Sequence, residues 1–192
     1  KDADREVVFT NLYDYMMAVV DSIPAGSGGV IFTPWLHGNR CPFEDPNSRG
    51  MFFNISLETG KTELIRAVVE GVCFHLRWFI ETQEKKVKTS NTIRFVGGGA
   101  LSAVTSQILA DCTGRVVETV ASPQNAGAVG AAVLIAVNAG IIPNVSEAKK
   151  LIPAVNTYIP NKDNKAVYDK NFEVFKKLYN SNKDNFKALN QN

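Results

Sequence analysis

At 192 residues, with 45% hydrophobic and 21% charged side chains, the chain is long enough for one substantial globular domain and too apolar for intrinsic disorder. Its 21 basic against 19 acidic residues leave a net charge of +2, too slight to draw in nucleic acid or an anionic membrane. Cys41, Cys73 and Cys112 are odd in number and form no CxxC pair, which fits free thiols in a reducing, cytoplasmic setting, and His37 and His75 are too few for a His-rich metal site.

Residues 5–22 carry Val8, Leu12, Tyr15, Met16 and Val19 at helical spacing and read as an amphipathic helix. Residues 24–29, rich in glycine, end it in a loop, and 30–32 read as a short strand. Pro34, Gly38, Pro42, Pro46 and Gly50 punctuate an ordered but irregular loop, after which 51–55 is a second strand candidate. The strongest helix spans 61–83, with Leu64, Ala67, Val68, Gly71, Val72, His75, Leu76 and Phe79 as its apolar stripe. A strand at 92–96, a helix at 102–113 and a strand at 115–120 follow. The helix at 125–139 is so rich in Ala and Gly that its backbone is expected to pack very close to a neighbour. Pro143 closes that region, a last amphipathic helix covers 166–189, and 190–192 are expected to fray. No apolar run reaches the ~18 residues that span a bilayer. No signal peptide is visible, and the opening on Lys1 is expected of a piece of something larger. The alternation predicts an α/β domain with helices on both faces of a mixed sheet.

The most informative stretch is Ile93 to Ser102, where a β-branched run drops into Gly97, Gly98 and Gly99 and a helix then starts at Ser102. Without side chains, glycines let backbone N–H groups approach a ligand, and the following helix offers its positive end. The same stretch also reads as an ordinary tight strand-to-helix turn. The strict dinucleotide fingerprint fails, because Ser102 stands where a third spaced glycine is needed.

Other candidates have bland alternatives. Gly60-Lys61-Thr62 resembles the end of a phosphate-binding loop, but Ile55 occupies the position of its first glycine, so Lys61 and Thr62 are expected to open the long helix. Arg40, Glu44, Asp45 and Arg49 crowd the Pro-rich loop as catalytic or anion-binding groups, or else as pins in which Arg40 and Asp45 act with Glu70. His75 on the apolar stripe reads as a core histidine, His37 has no evident partner, and Asp111 reads as a helix C-terminal or surface carboxylate. In residues 122–132, Ser122 or Asn125 caps a small-residue helix, which would give the glycine turn a second backbone-lined wall if strands 92–96 and 116–120 are neighbours.

Five ordered segments together resemble the FGGY carbohydrate kinases. They are Gly29 to Pro42, Asp45 to Gly50, Leu64 to Val72 with Arg66-Ala67 and Glu70-Gly71, Val96 to Ser102, and Gln107 to Val117; the small residues from Ala126 to Ala132 fit as well. The wording is nearest the xylulose kinases within that family. The resemblance implies the actin/hexokinase/Hsp70-like fold, in which two ribonuclease H-like domains close over ATP and sugar. Residues 1–192 would be most of the C-terminal, nucleotide-side domain, without the sugar-binding domain. Gly97, Gly98, Gly99, Ala100 and Ser102 would line the adenosine end of ATP. ATP and Mg²⁺ are the implied cofactors, and a pentulose such as D-xylulose the implied substrate.

Departures from the family pattern stand at Asn39 (commonly Glu), Asn54 (commonly Gly), Leu101 (often Lys) and Thr105 (often Trp). They motivate an alternative, a family-like regulatory or assembly module that has lost catalysis. The catalytic aspartate of the family lies upstream of the resembling segments, so no catalytic residue and no metal ligand is assigned here, and these 192 residues alone are expected to be inactive. The apolar surface of a cut domain leaves self-association, for instance as a homodimer, open.

Overall fold

The computed structural model describes residues 11–191. Helix α1 (Leu12–Ser22) starts at Asn11, whose side chain accepts the Asp14 amide at 3.0 Å. The earlier part of the expected helix, Val8 included, lies outside the described residues. Strands β1 (Ile31–Thr33) and β2 (Met51–Phe53) pair antiparallel as a two-stranded sheet of their own. Helix α2 (Lys61–Glu84) leads to β3 (Thr92–Phe95), α3 (Ala103–Thr113), β4 (Val116–Val120) and α4 (Ala126–Asn138). The short α5 (Ala148–Leu151), β5 (Ala154–Tyr158) and α6 (Lys165–Asn190) complete the order.

β3 runs parallel to β4, and β5 joins the other side of β4 antiparallel, so this sheet is mixed as expected. β5 has no counterpart in the sequence reading. Its side chains from Ala154 to Thr157 are all exposed, so pairing holds the strand and no buried face leaves an alternation to read.

Successive side chains of β3 and β4 point to opposite faces. Ile93, Phe95 and Val117 join the core formed with α2, α3 and α6, where Phe74, Leu109, Phe172 and Phe175 are buried. Thr92, Arg94, Val96, Glu118 and Val120 line the other face, beneath α4. α4 corrects an expectation. A Cβ on Gly127 or Gly130 would meet nothing within 4 Å, and Leu134 and Ile135 are 62% and 69% exposed. The composition calls for a close neighbour, and among the described residues none lies against that face.

α2 begins as expected of an ordinary helix. The Glu63 carboxylate accepts from the Gly60 amide at 3.0 Å and the Thr62 hydroxyl at 2.9 Å, so Lys61 and Thr62 open the helix. Its buried face is rotated from the expected stripe: Arg66, Ala67, Glu70, Gly71, Cys73 and Phe74 are inside, while Val68 and Val72 are exposed. The cause is a buried charge network. The Glu70 carboxylate, 1% exposed, accepts from Arg66 Nε at 2.7 Å, Ser27 Oγ at 2.7 Å, the Gly26 amide at 2.9 Å and the Tyr168 hydroxyl at 3.1 Å. Arg66 also donates to the Val20 carbonyl at 2.6 Å and to Tyr168 at 2.9 Å. Burial, and then the charge of Glu70, push the Tyr168 phenol far above its usual range and keep it neutral. Glu70 therefore ties the glycine-rich loop and α6 to α2, Arg66 adds α1, and neither reaches the Pro-rich loop.

That loop has its own pins. Asn39 and Asp45 exchange backbone bonds at 2.9 Å, and Asn39 Nδ2 donates to the carbonyls of Cys41 and Phe43. Asp45 accepts the Asn47 amide at 2.8 Å, and Arg49 holds the Pro46 and Ser48 carbonyls. Arg40 and His37 stand exposed. Asn54, where the resemblance expects glycine, adopts φ +67° and donates to the Gly29 carbonyl at 3.2 Å. Asparagine is among the residues best able to hold that left-handed backbone. Asn190, expected to fray, is the last residue of α6, and its Nδ2 donates to the Asn47 carbonyl at 3.1 Å. Asn192 lies outside the described residues.

Trp35, 1% exposed, anchors the loop inside a ring of Phe43, Phe175, Tyr179 and Phe186. Its indole N–H donates to His75 Nδ1 at 3.4 Å. His75 is thus a structural histidine held neutral, with burial lowering its pKa below 6.5. The unfolded chain takes up more protons as the pH falls through that value, so stability is expected to fall on acidification from there and to be complete above it. Urea midpoints followed by tryptophan fluorescence should lose part of this acid slope in His75→Gln; an unchanged slope would remove His75 as its source.

Candidate functional site

The chemistry-bearing feature of the sequence lies at the C-terminal ends of two parallel strands, where open α/β sheets present ligands. β3 ends at Phe95, and Gly97 follows with φ +90° and ψ −175°, a conformation essentially restricted to glycine. A 3₁₀ turn, Gly98–Leu101, then leads to Ser102, the N-cap of α3, whose hydroxyl oxygen accepts the Thr105 amide at 3.1 Å. A Cβ built on Gly97 or Gly98 would meet nothing within 4 Å, so the space in front of them is open. Gly99 differs, because its Cβ would lie 3.0 Å from the Phe95 ring. Ala100 is buried behind the turn and Leu101 faces solvent.

The backbone donors divide in a useful way. The Gly97 amide donates to the Pro123 carbonyl at 2.8 Å. Gly98 and Gly99 open a 3₁₀ turn, and amides in the first turn have no intrahelical acceptor. Together with the positive end of α3, they suit an anionic or hydrogen-bond-accepting ligand. Ser102 keeps its hydroxyl proton available for donation while its oxygen caps the helix. The sequence-read residues Gly97, Gly98, Gly99, Ala100 and Ser102 therefore form one continuous rim, with Ala100 as its buried backing.

The second wall is also present, since β3 and β4 are neighbours. β4 ends at Val120 and leads through Ser122, whose backbone is left-handed, into the 3₁₀ turn Pro123–Asn125 that precedes α4. The sequence reading assigned Pro123 no role; the Ser-Pro step directly after an apolar strand is its only signal. Neither Ser122 nor Asn125 makes a side-chain cap to its helix. Beneath α4 a cleft of about 680 Å³ runs back along the sheet, with the Arg94–Glu118 ion pair at 2.9 Å in its floor and Val96 and Ser122 among its lining.

Asp111 does not belong to this rim. It is 6% exposed, at the far end of α3, and accepts from Gln107 Nε2 at 2.7 Å, the Asn161 amide at 2.8 Å and Asn164 Nδ2 at 2.8 Å. Asp111 does stand in the last turn of α3, but it is not at the surface: it clamps the connection from β5 to α6.

Residues 4–139 match the C-terminal domain of the FGGY family of carbohydrate kinases. The chain belongs to this family. The xylulose kinase of Bacillus subtilis is 30% identical over 178 residues, which cover 92% of this chain and 36% of that protein. A ligand-bound xylulose kinase from Lactobacillus acidophilus superposes with a TM-score of 0.84 at 29% identity, over 96% of this chain and 38% of that one. The glycerol kinase of Plasmodium falciparum, solved with ADP, has a TM-score of 0.70 at 20% identity, a likeness of fold alone, over 86% of this chain and 33% of that one. The chain thus spans about a third of the length of the relatives it matches. The FGGY domain has the α/β, actin/hexokinase-like fold that the sequence reading expected, and among the described residues no helix is long and apolar enough to cross a membrane.

Besides Asn54, two departures from the FGGY pattern have structural work in this chain. Asn39 holds the Pro-rich loop, and Thr105 donates to Met17 Sδ at 3.6 Å.

Proposed function

We propose that this FGGY domain is the nucleotide-side half of an ATP-dependent sugar kinase of the xylulose kinase type, and that its glycine turn receives the adenosine and α-phosphate end of ATP. The observation that carries the reading is the open space over Gly97 and Gly98, flanked by first-turn amides at the ends of two parallel strands. An adenosine phosphate fits such a cradle because its oxygens accept hydrogen bonds and its flat, partly apolar ring tolerates bare backbone.

Bound ATP supplies the transferable γ-phosphoryl group. Gly98 and Gly99 would donate backbone N–H groups to the nucleotide, Ser102 would add its hydroxyl proton, and Ala100 would keep the turn seated on the core. The domain's task is to position the nucleotide and exclude water from it, while the base that accepts the sugar hydroxyl proton and the residues that read the sugar belong to the partner domain of the cleft. No residue of this chain is assigned to Mg²⁺. A pentulose is the substrate favoured by the xylulose kinase relatives, and the free thiols of Cys41, Cys73 and Cys112 fit a cytoplasmic enzyme.

Gly98→Val tests the reading cleanly. Gly98 has no positive φ and its Cβ direction is empty, so valine should leave the unfolding midpoint unchanged. Filling the cradle should raise the ATP KM of the intact kinase about tenfold or more, equivalent to at least about 1.4 kcal/mol, with the sugar KM unaltered. An unchanged ATP KM would sink the assignment.

A further inference from the structure

Three glycines in a row are the most conformationally free backbone a chain can present, so a turn built from them pays a high ordering cost when it grips a ligand unless something fixes it beforehand. Inside the turn, the Ala100 and Ser102 amides donate to the Gly97 and Gly99 carbonyls at 3.2 and 3.3 Å, and one further bond ties the turn to its neighbour. The Gly97 amide donates to the Pro123 carbonyl at 2.8 Å, and the same carbonyl accepts the Ala126 amide, which orients it from the α4 side. The residue before it sets its direction from the other side. Ser122 has φ +49° and ψ +55°, a left-handed conformation that L residues with a side chain rarely adopt. Its side chain is exposed and caps nothing in the turn that follows, so no burial of that side chain offsets the strain. Strain that persists beside a ligand-facing turn points toward function.

We propose that Ser122 and Pro123 are positioning residues for the nucleotide. The left-handed Ser122 aims the Pro123 carbonyl at Gly97, which locks the first glycine in its glycine-only geometry and thereby preorganises the amides of Gly98 and Gly99. Neither residue need touch the nucleotide. The proposal rests on the nucleotide reading of the glycine turn.

The test compares Ser122→Val with Ser122→Gly in the intact kinase. Valine resists a positive φ and should turn the Pro123 carbonyl away, raising the ATP KM about fivefold while kcat and the sugar KM stay within about twofold. Glycine adopts the left-handed backbone freely and should behave like the parent. Ser122→Ala, a milder change, should show the same direction as faster hydrogen exchange at the Gly97 amide. A parental ATP KM in Ser122→Val, or equal losses in the valine and glycine variants, overturns the proposal. Gly98→Val separates the two levels. If it raises the ATP KM and Ser122→Val does not, only the positioning role fails; if neither changes it, the nucleotide reading fails as well.

Discussion

Glu70→Ala is expected to cost the chain about 3–5 kcal/mol of folding stability, the largest effect of any single side-chain truncation considered. The alanine removes a carboxylate that accepts from Arg66, Ser27, the Gly26 amide and Tyr168, and it leaves the Arg66 guanidinium buried without its counter-charge. Native domains hold only about 5–15 kcal/mol in total, so the variant would sit near the edge of unfolding. Urea unfolding should show a large drop in midpoint with little change in slope. Removing both charges at once, as Arg66→Met with Glu70→Leu, should cost less than the single truncation, because no unpaired charge stays inside. A Glu70→Ala cost below about 1 kcal/mol would show that water or a neighbouring group replaces the carboxylate.

Gly71→Ala is expected to destabilise although helix propensity argues the reverse. At a mid-helix site, alanine is favoured over glycine by about 1 kcal/mol. The Cβ, however, would land on the Phe32 carbonyl oxygen and within 3.0 Å of its carbon, so α2 and β1 would have to move apart. Backbone is a poor partner for such relaxation, and overpacking of this kind costs about 1–3 kcal/mol and occasionally more. We expect a net loss of about 2 kcal/mol, seen as a Tm lower by roughly 4–8 °C. A Tm equal to or above that of the parent would mean that the helix slides along the strand at little cost.

The parts of the fold legible in the sequence are those in which a local pattern and its tertiary use coincide. The glycine turn is one, because three glycines after Phe95-Val96 fix a backbone property that no context reverses. The start of α3 at Ser102 and its end at Gly114, which has φ +67°, are others. What escaped depends on partners distant in the chain. Arg66 and Glu70 made the buried face of α2 look polar, so its stripe was read with Val68 and Val72 inside; their partners are Tyr168 and Ser27. Asp111 looked like a surface carboxylate because the groups that bury it, Asn161 and Asn164, are far along the chain. Within the candidate site, the rim residues were legible and the Gly97–Pro123 bond was not, since only the parallel pairing of β3 and β4 brings the two turns together.

The closure of the Glu70 network by Tyr168 has a consequence for biosynthesis. Arg66 and Tyr168 are separated by 102 positions, and Asn47 and Asn190 by 143. While a ribosome is still translating the region of β4 and α4, the Arg66 and Glu70 side chains have been made but their α6 partner has not. The aromatic pocket around Trp35 likewise waits for Phe175 and Phe186. The domain therefore cannot reach its packed state stepwise from its N-terminal side. It commits late, once α6 has emerged, and such non-local closure is the kind that slows folding and leaves apolar surface to chaperones in the meantime.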